Sequence, residues 1–126
     1  MTDRFADIQP VLGRYFDALY TCDTALLKEV FHPRAVYATA DETPPLIRSM
    51  DEYFPVVAKR EAPASRGEIR RDVIDSIEFA GENTAFARVR CSFGGRDFTD
   101  LLTLINDAGQ WRIMSKIFAM SPMQEA

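Results

Sequence analysis

Two residues in the last third of the chain bring opposite charges onto a face that is otherwise apolar. The stretch 98–118, FTDLLTLINDAGQWRIMSKIF, is rich in branched and aromatic residues on both sides of Asn106-Asp107-Ala108-Gly109-Gln110. That is the composition of a β-hairpin. A three-residue loop, Asp107-Ala108-Gly109, with Gly109 in the left-handed position, predicts that Asn106 pairs with Gln110. Strand side chains alternate between faces with period two. Phe98, Asp100, Leu102 and Leu104 therefore share a face with Arg112, Met114, Lys116 and Phe118. The same register sets Asp100 directly opposite Lys116, with Cβ atoms roughly 4.5–5.5 Å apart, so that the charged ends meet. Such a pair serves either as a clamp for a polar ligand group or as a buried ion pair that fixes strand register.

Few other residues offer chemistry. His32 is the single histidine and the one side chain that titrates near neutrality without help, which makes it a candidate general base. At the end of a helix it also suits contacts to the last carbonyls. One histidine excludes a His-rich metal site, and no carboxylate spacing suggests another, so no metal and no cofactor is expected. Cys22 and Cys91 lack CxxC spacing and read as free thiols. The net charge of −4 comes with scattered basic residues, so no nucleic-acid partner is expected. There is no apolar run of about 18 residues, so no membrane span is expected. The start, MTDRFADIQP, lacks the apolar core of a signal peptide, and the expected location is cytoplasmic.

The elements that must position these residues follow from periodicity. Ile8, Val11, Leu12, Tyr15, Phe16, Leu19 and Tyr20 recur at helical spacing. Asp7 is the expected N-cap of this helix, which ends near Thr21-Cys22. Asp23 caps a short second helix, Thr24–Phe31, which Pro33 stops. Arg34–Ala40 and Leu46–Arg48 read as strands. Ser49-Met50-Asp51-Glu52 is a capping box opening a third helix to about Arg60, although Pro55 inside it implies a kink or a later start. From Arg66 the period changes to two. Ile69, Val73, Ile77 and Phe79 form one strand, and Thr84–Phe93 a second after Gly81-Glu82-Asn83. Gly94-Gly95-Arg96 then leads into the hairpin. The 126 residues make a single domain spanning 1–126. Its class is α+β, with three N-terminal helices on one face of a curved antiparallel sheet. Leu101, Ile105, Trp111, Ile113 and Ile117 fall on the outer sheet face, and an apolar patch there predicts a homodimer.

Several segments carry a resemblance: VLGRYFDALYTCD (11–23), FHPRA (31–35), SMDEYF (49–54), TAFARVR (84–90), FTDLLTLI and WRIMSKIF. Together they resemble the NTF2-like superfamily over almost the whole chain, closest to the SnoaL-like branch catalogued as "putative lumazine-binding". The resemblance implies a cone-shaped fold with an internal pocket. The superfamily includes ketosteroid isomerase and polyketide cyclases, which stabilise an enolate in that cone. In ketosteroid isomerase a helix-1 tyrosine and a protonated late-strand aspartate form the oxyanion hole, and a second carboxylate is the base. The matching positions here are Tyr15 and Asp100, while the base position falls on Thr39. Threonine does not accept a proton at neutral pH, and Asp41 is the nearest substitute. Lys116 opposite Asp100 would hold that carboxylate ionised, whereas the isomerase needs it protonated.

The catalytic candidates are thus Asp100, Tyr15 and His32. Strand parity and the resemblance together give a pocket bounded by Tyr15, Phe16, Tyr37, Phe54 and Val89, closed by Asp100, Leu102, Met114, Lys116 and Phe118. The expected function is binding of a small, largely apolar ligand there. The alternative is a cofactor-independent cyclase, isomerase or dehydratase acting on an enolisable small molecule.

Overall fold

The computed structural model describes residues 4–123. Helix α1 (Phe5–Thr21) buries Ile8, Val11, Leu12, Tyr15, Phe16 and Leu19 along the face that their spacing defines. It starts two residues before the expected Asp7 cap, with Arg4 at the N-cap position and no side chain closing it. Cys22 ends it in the left-handed conformation, φ 53°. Asp23 then caps α2 (Thr24–Val30), accepting from the Leu26 N–H. Helix α3 (Met50–Ala58) opens on the complete Ser49/Glu52 capping box and runs through Pro55 without a later start.

Strands are β1 (Phe31–Thr39), β2 (Leu46–Ser49), β3 (Val73–Ala80), β4 (Thr84–Phe93), β5 (Arg96–Asp107) and β6 (Gln110–Pro122). They form one sheet in the order β2-β1-β6-β5-β4-β3. The expected all-antiparallel sheet is corrected at one seam. The β1–β6 pair is parallel and the rest antiparallel. After β2 the chain passes through α3 to β3 at the far edge of the sheet and returns strand by strand to lay β6 beside β1. Strand β1 begins three residues earlier than predicted, and β3 begins later. A short 3-10 helix (Pro63–Arg66) takes up part of the connection, and Ile69 is left 78% exposed. One cluster of buried side chains joins the helices to the inner sheet face.

The β5–β6 hairpin departs from the expected register, and this decides the site. Its turn has two residues, Ala108 and Gly109, both with positive φ (54° and 87°), as in a type I′ turn. Asp107 therefore pairs with Gln110, one step off the expected pairing. That step turns Trp111 and Ile113 inward, and Ile113 is fully buried, so neither belongs to the outer face. A β-bulge then intervenes. Leu104 pairs with Ile113 but Thr103 with Ser115, leaving Met114 as the extra residue. A bulge restores parity, so Lys116 and Phe118 face inward after all. Asp100 pairs with Phe118 and Lys116 with Leu102. The direct Asp100–Lys116 opposition is corrected.

Candidate functional site

A cavity of about 530 Å³ opens between the helices and the inner sheet face. Its apolar wall includes Tyr37 on β1, Leu46 on β2, Val57 on α3, Phe98 on β5, and Phe118 and Met120 on β6. Lys116 reaches it from the floor, although the residue is only 4% exposed.

The Lys116 ammonium sits in a box of rings. Its Nζ lies 5.2 Å from the Tyr15 ring centre, 5.3 Å from Phe118, 5.5 Å from Tyr37 and 5.7 Å from Tyr53. These are cation–π distances, and such contacts strengthen when water is excluded. Tyr37 and Tyr53 stack with centroids 4.2 Å apart, which holds two walls of the box rigid. Among the described residues no carboxylate oxygen lies within 4.0 Å of Nζ. Burial alone would lower the Lys116 pKa. The phenolic oxygens of Tyr53, the Asp100 carboxylate and Tyr37 outweigh it and raise the group above its ordinary range. Lys116 is therefore a permanent cation at neutral pH, a good anchor for negative charge and a poor nucleophile.

Asp100 and Tyr15 lie beneath this floor, both fully buried. The Tyr15 hydroxyl donates to Asp100 Oδ2 at 2.6 Å. Burial pushes the Tyr15 phenol well above its ordinary value, and the Asp100 charge adds to the shift. Tyr15 thus keeps its proton and spends it on Asp100, where a carboxylate acts as acceptor. Neither residue lines the cavity. Asp100 Oδ1 and Tyr53 Oη are buried without a hydrogen-bond partner.

The structure brings together Tyr15, Tyr37, Asp100, Lys116 and Phe118 from the sequence-based site. Val89 and Leu102 are the buried strand neighbours of Asp100 and Lys116. Phe16 packs on Tyr15, and Phe54 on Phe31 and Tyr53, and neither lines the cavity. Met114 is displaced from the pocket face by the bulge. His32 does not line the cavity. It stands five residues before Tyr37, roughly 15 Å away along a strand. There its Nδ1 accepts from the Arg34 N–H at 3.0 Å, and Nε2 lies 3.6 Å from Asp107. Thr39 lines the cavity at the base position, and its Oγ1 accepts from the Asp41 N–H. The exposed Asp41 carboxylate accepts from the Met120 N–H at 3.0 Å, tying the β1–β2 loop to β6.

Sequence reasoning missed the mouth of the cavity, where Arg48, Arg60, Arg66 and Arg96 stand with Glu42 and Glu61. Phe98 shares strand parity with Asp100, and that signal could have placed it. The arginines come from separate elements and carried no common pattern.

The sequence pattern of one family, described as "Putative lumazine-binding", matches residues 3–119. No functionally curated protein matches the chain. Among solved structures, an NTF2-like protein of unknown function from Silicibacter pomeroyi DSS-3 is 25% identical, covering 96% of this chain and 100% of that one, with a TM-score of 0.85. Another NTF2-like protein of unknown function, from Shewanella baltica OS155, is 23% identical over 98% and 99% of the two chains, with a TM-score of 0.85. A ketosteroid isomerase-like protein from Erwinia carotovora atroseptica SCRI1043 is 16% identical over 97% and 100%, with a TM-score of 0.76.

Proposed function

The chain belongs to the "Putative lumazine-binding" family of the NTF2-like superfamily, and from that premise we propose that it binds a small molecule with a largely apolar body in the cavity above Lys116. The observation that carries this reading is a buried ammonium, boxed by four rings, at the floor of a cavity of about 530 Å³. That volume suits a small organic ligand, and a mostly apolar wall with one fixed charge is the usual composition of such sites.

Enolate chemistry fits these residues less well. An oxyanion hole needs donors aimed at the reacting oxygen, whereas Tyr15 donates to Asp100 beneath the floor. The base position holds Thr39, and the carboxylates at the cavity, Glu42 and Glu61, are exposed. Binding without chemistry is therefore the reading we carry forward.

Native mass spectrometry of the purified protein tests it. We expect a retained small-molecule adduct in the wild type and its loss in Lys116→Met. A protein free of adduct, whose melting temperature no small apolar molecule raises, would sink the reading.

A further inference from the structure

We infer that the ligand is a small organic anion, an apolar carbon body bearing a carboxylate that meets Lys116 at the cavity floor and enters past a cationic mouth. The inference rests on the binding reading above and adds the chemical class of the ligand.

The sign of the lining is the first argument. The chain as a whole has a net charge of −4, yet its cavity is lined by five cationic side chains and two carboxylates. Counting the buried Asp100 beneath the floor still leaves an excess of positive charge. A cleft of one sign inside a protein of the other focuses the field and concentrates oppositely charged solutes.

The second argument is which cations lack a partner. Arg66 is engaged, 2.6 Å from Glu68. Arg48, Arg60 and Arg96 have no carboxylate within 4.0 Å among the described residues. Arg48 lies over the Tyr37 ring at 5.9 Å, and Arg96 directs one N–H at the Met120 sulfur, a weak acceptor. Elsewhere on the surface some arginines pair, while Arg4, Arg14, Arg34, Arg71 and Arg112 have no carboxylate within 4.0 Å among the described residues. Arg70 holds Asp17 and Asp72, and Arg90 makes a two-pronged contact with Asp75. Three arginines without a carboxylate partner, Arg48, Arg60 and Arg96, stand at the mouth of the cavity that contains the buried lysine.

The third argument concerns Lys116 itself. Ring faces satisfy its charge in part but accept none of its three N–H donors in full hydrogen bonds. A ligand carboxylate supplies those acceptors, and a neutral apolar ligand would not. The walls of Tyr37, Phe98 and Phe118 suit the carbon body. A free phosphate would leave these rings unused.

The test compares naphthoate with its neutral isostere naphthamide, by calorimetric titration into the full chain at low and high salt. Naphthoate is expected to bind at least about tenfold more tightly, with an advantage that shrinks as salt screens the mouth. Lys116→Met should erase the advantage, bringing naphthoate down to the affinity of naphthamide. Arg96→Gln, at an exposed position, keeps the test decisive if the buried substitution fails to fold. It should weaken naphthoate several-fold more than it weakens the amide. Equal affinity for acid and amide, or an advantage that survives Arg96→Gln undiminished, overturns the anion inference and leaves the pocket reading standing. Binding of neither overturns the pocket reading and this inference with it. Inorganic phosphate displacing naphthoate at matching concentration overturns the role given to the carbon body.

Discussion

Asp100 is a fully buried carboxylate with one hydrogen bond, from Tyr15, and one oxygen that has none. Such a group depends heavily on its single donor, because a buried acceptor left unpaired loses its hydration without return. Tyr15→Phe removes the donor and keeps the ring against Lys116. We expect a loss of about 1–3 kcal/mol, read as a lower urea midpoint. Alkaline pH gives a second reading of the same contact. Burial, with the Asp100 charge, holds the folded Tyr15 pKa above its ordinary 10.0, so above that pH the unfolded chain binds fewer protons than the folded one. Stability from Tyr15 is then complete below pH 10 and is lost as pH rises through the folded value. Tyr15→Phe should accordingly reduce the alkaline slope of stability, and an unchanged slope would mean that Tyr15 titrates as it does in water. Cys91 behaves alike, its thiol pushed up to about 12 by burial and then by Asp100, so Tyr15→Phe should keep some alkaline slope.

The elements were legible where one period and one cap agreed. α1 shows its inner face at helical spacing, and the Ser49/Glu52 box announces α3 strongly enough to override Pro55. Asp100 and Lys116 were readable as inward-facing, since both carry the parity of a strand with one buried face. Their exact pairing was not, for two reasons in the hairpin. The two-residue turn carries alanine where Asn-Gly or Asp-Gly would advertise it. The bulge at Met114 leaves no mark, because Arg112-Ile113-Met114-Ser115 alternates as well in one register as in the other. Each error moved the register by one step, so face was recovered while pairing was lost. The mouth arginines were illegible for another reason: one arginine on each of several separate segments looks like ordinary solvated surface. The turn offers its own test. Ala108 sits at φ 54°, a conformation that disfavours an ordinary L-residue by roughly 1–2 kcal/mol. Asparagine tolerates it, so Ala108→Asn should stabilise the protein by about 0.5–1 kcal/mol with an unchanged urea m-value. A destabilised variant would argue against the type I′ turn and the register that follows from it.

At the scale of the whole molecule, the helices cover the inner sheet face, and the outer face keeps an apolar row. Ile47, Ala38, Ile117 and Leu101 stand side by side across β2, β1, β6 and β5, with Ile47 69% and Ile117 44% exposed. The two-residue turn removes Trp111 and Ile113 from this surface, and the bulge leaves Leu101, Ile105 and Ile117 on it. No helix of the described residues is long and apolar enough to cross a membrane. We propose that a second copy of the chain covers the apolar row, because a row this near the middle of the sheet can meet its own two-fold image. Size-exclusion chromatography with light scattering should give a dimer at micromolar concentration, and a monomer there would refute the proposal. Two substitutions sharpen the result. Ile117→Lys places a charge at a position already open to water in one chain, so it should yield a folded monomer with near-native circular dichroism. Ile113→Lys places the charge in a fully buried site, where an unpaired ion is strongly unfavourable, so it should unfold the chain. If Ile117→Lys stays dimeric, the interface lies elsewhere. If Ile113→Lys folds and merely dissociates, Ile113 faces outward, and the two-residue turn that shifts the register by one step is misplaced.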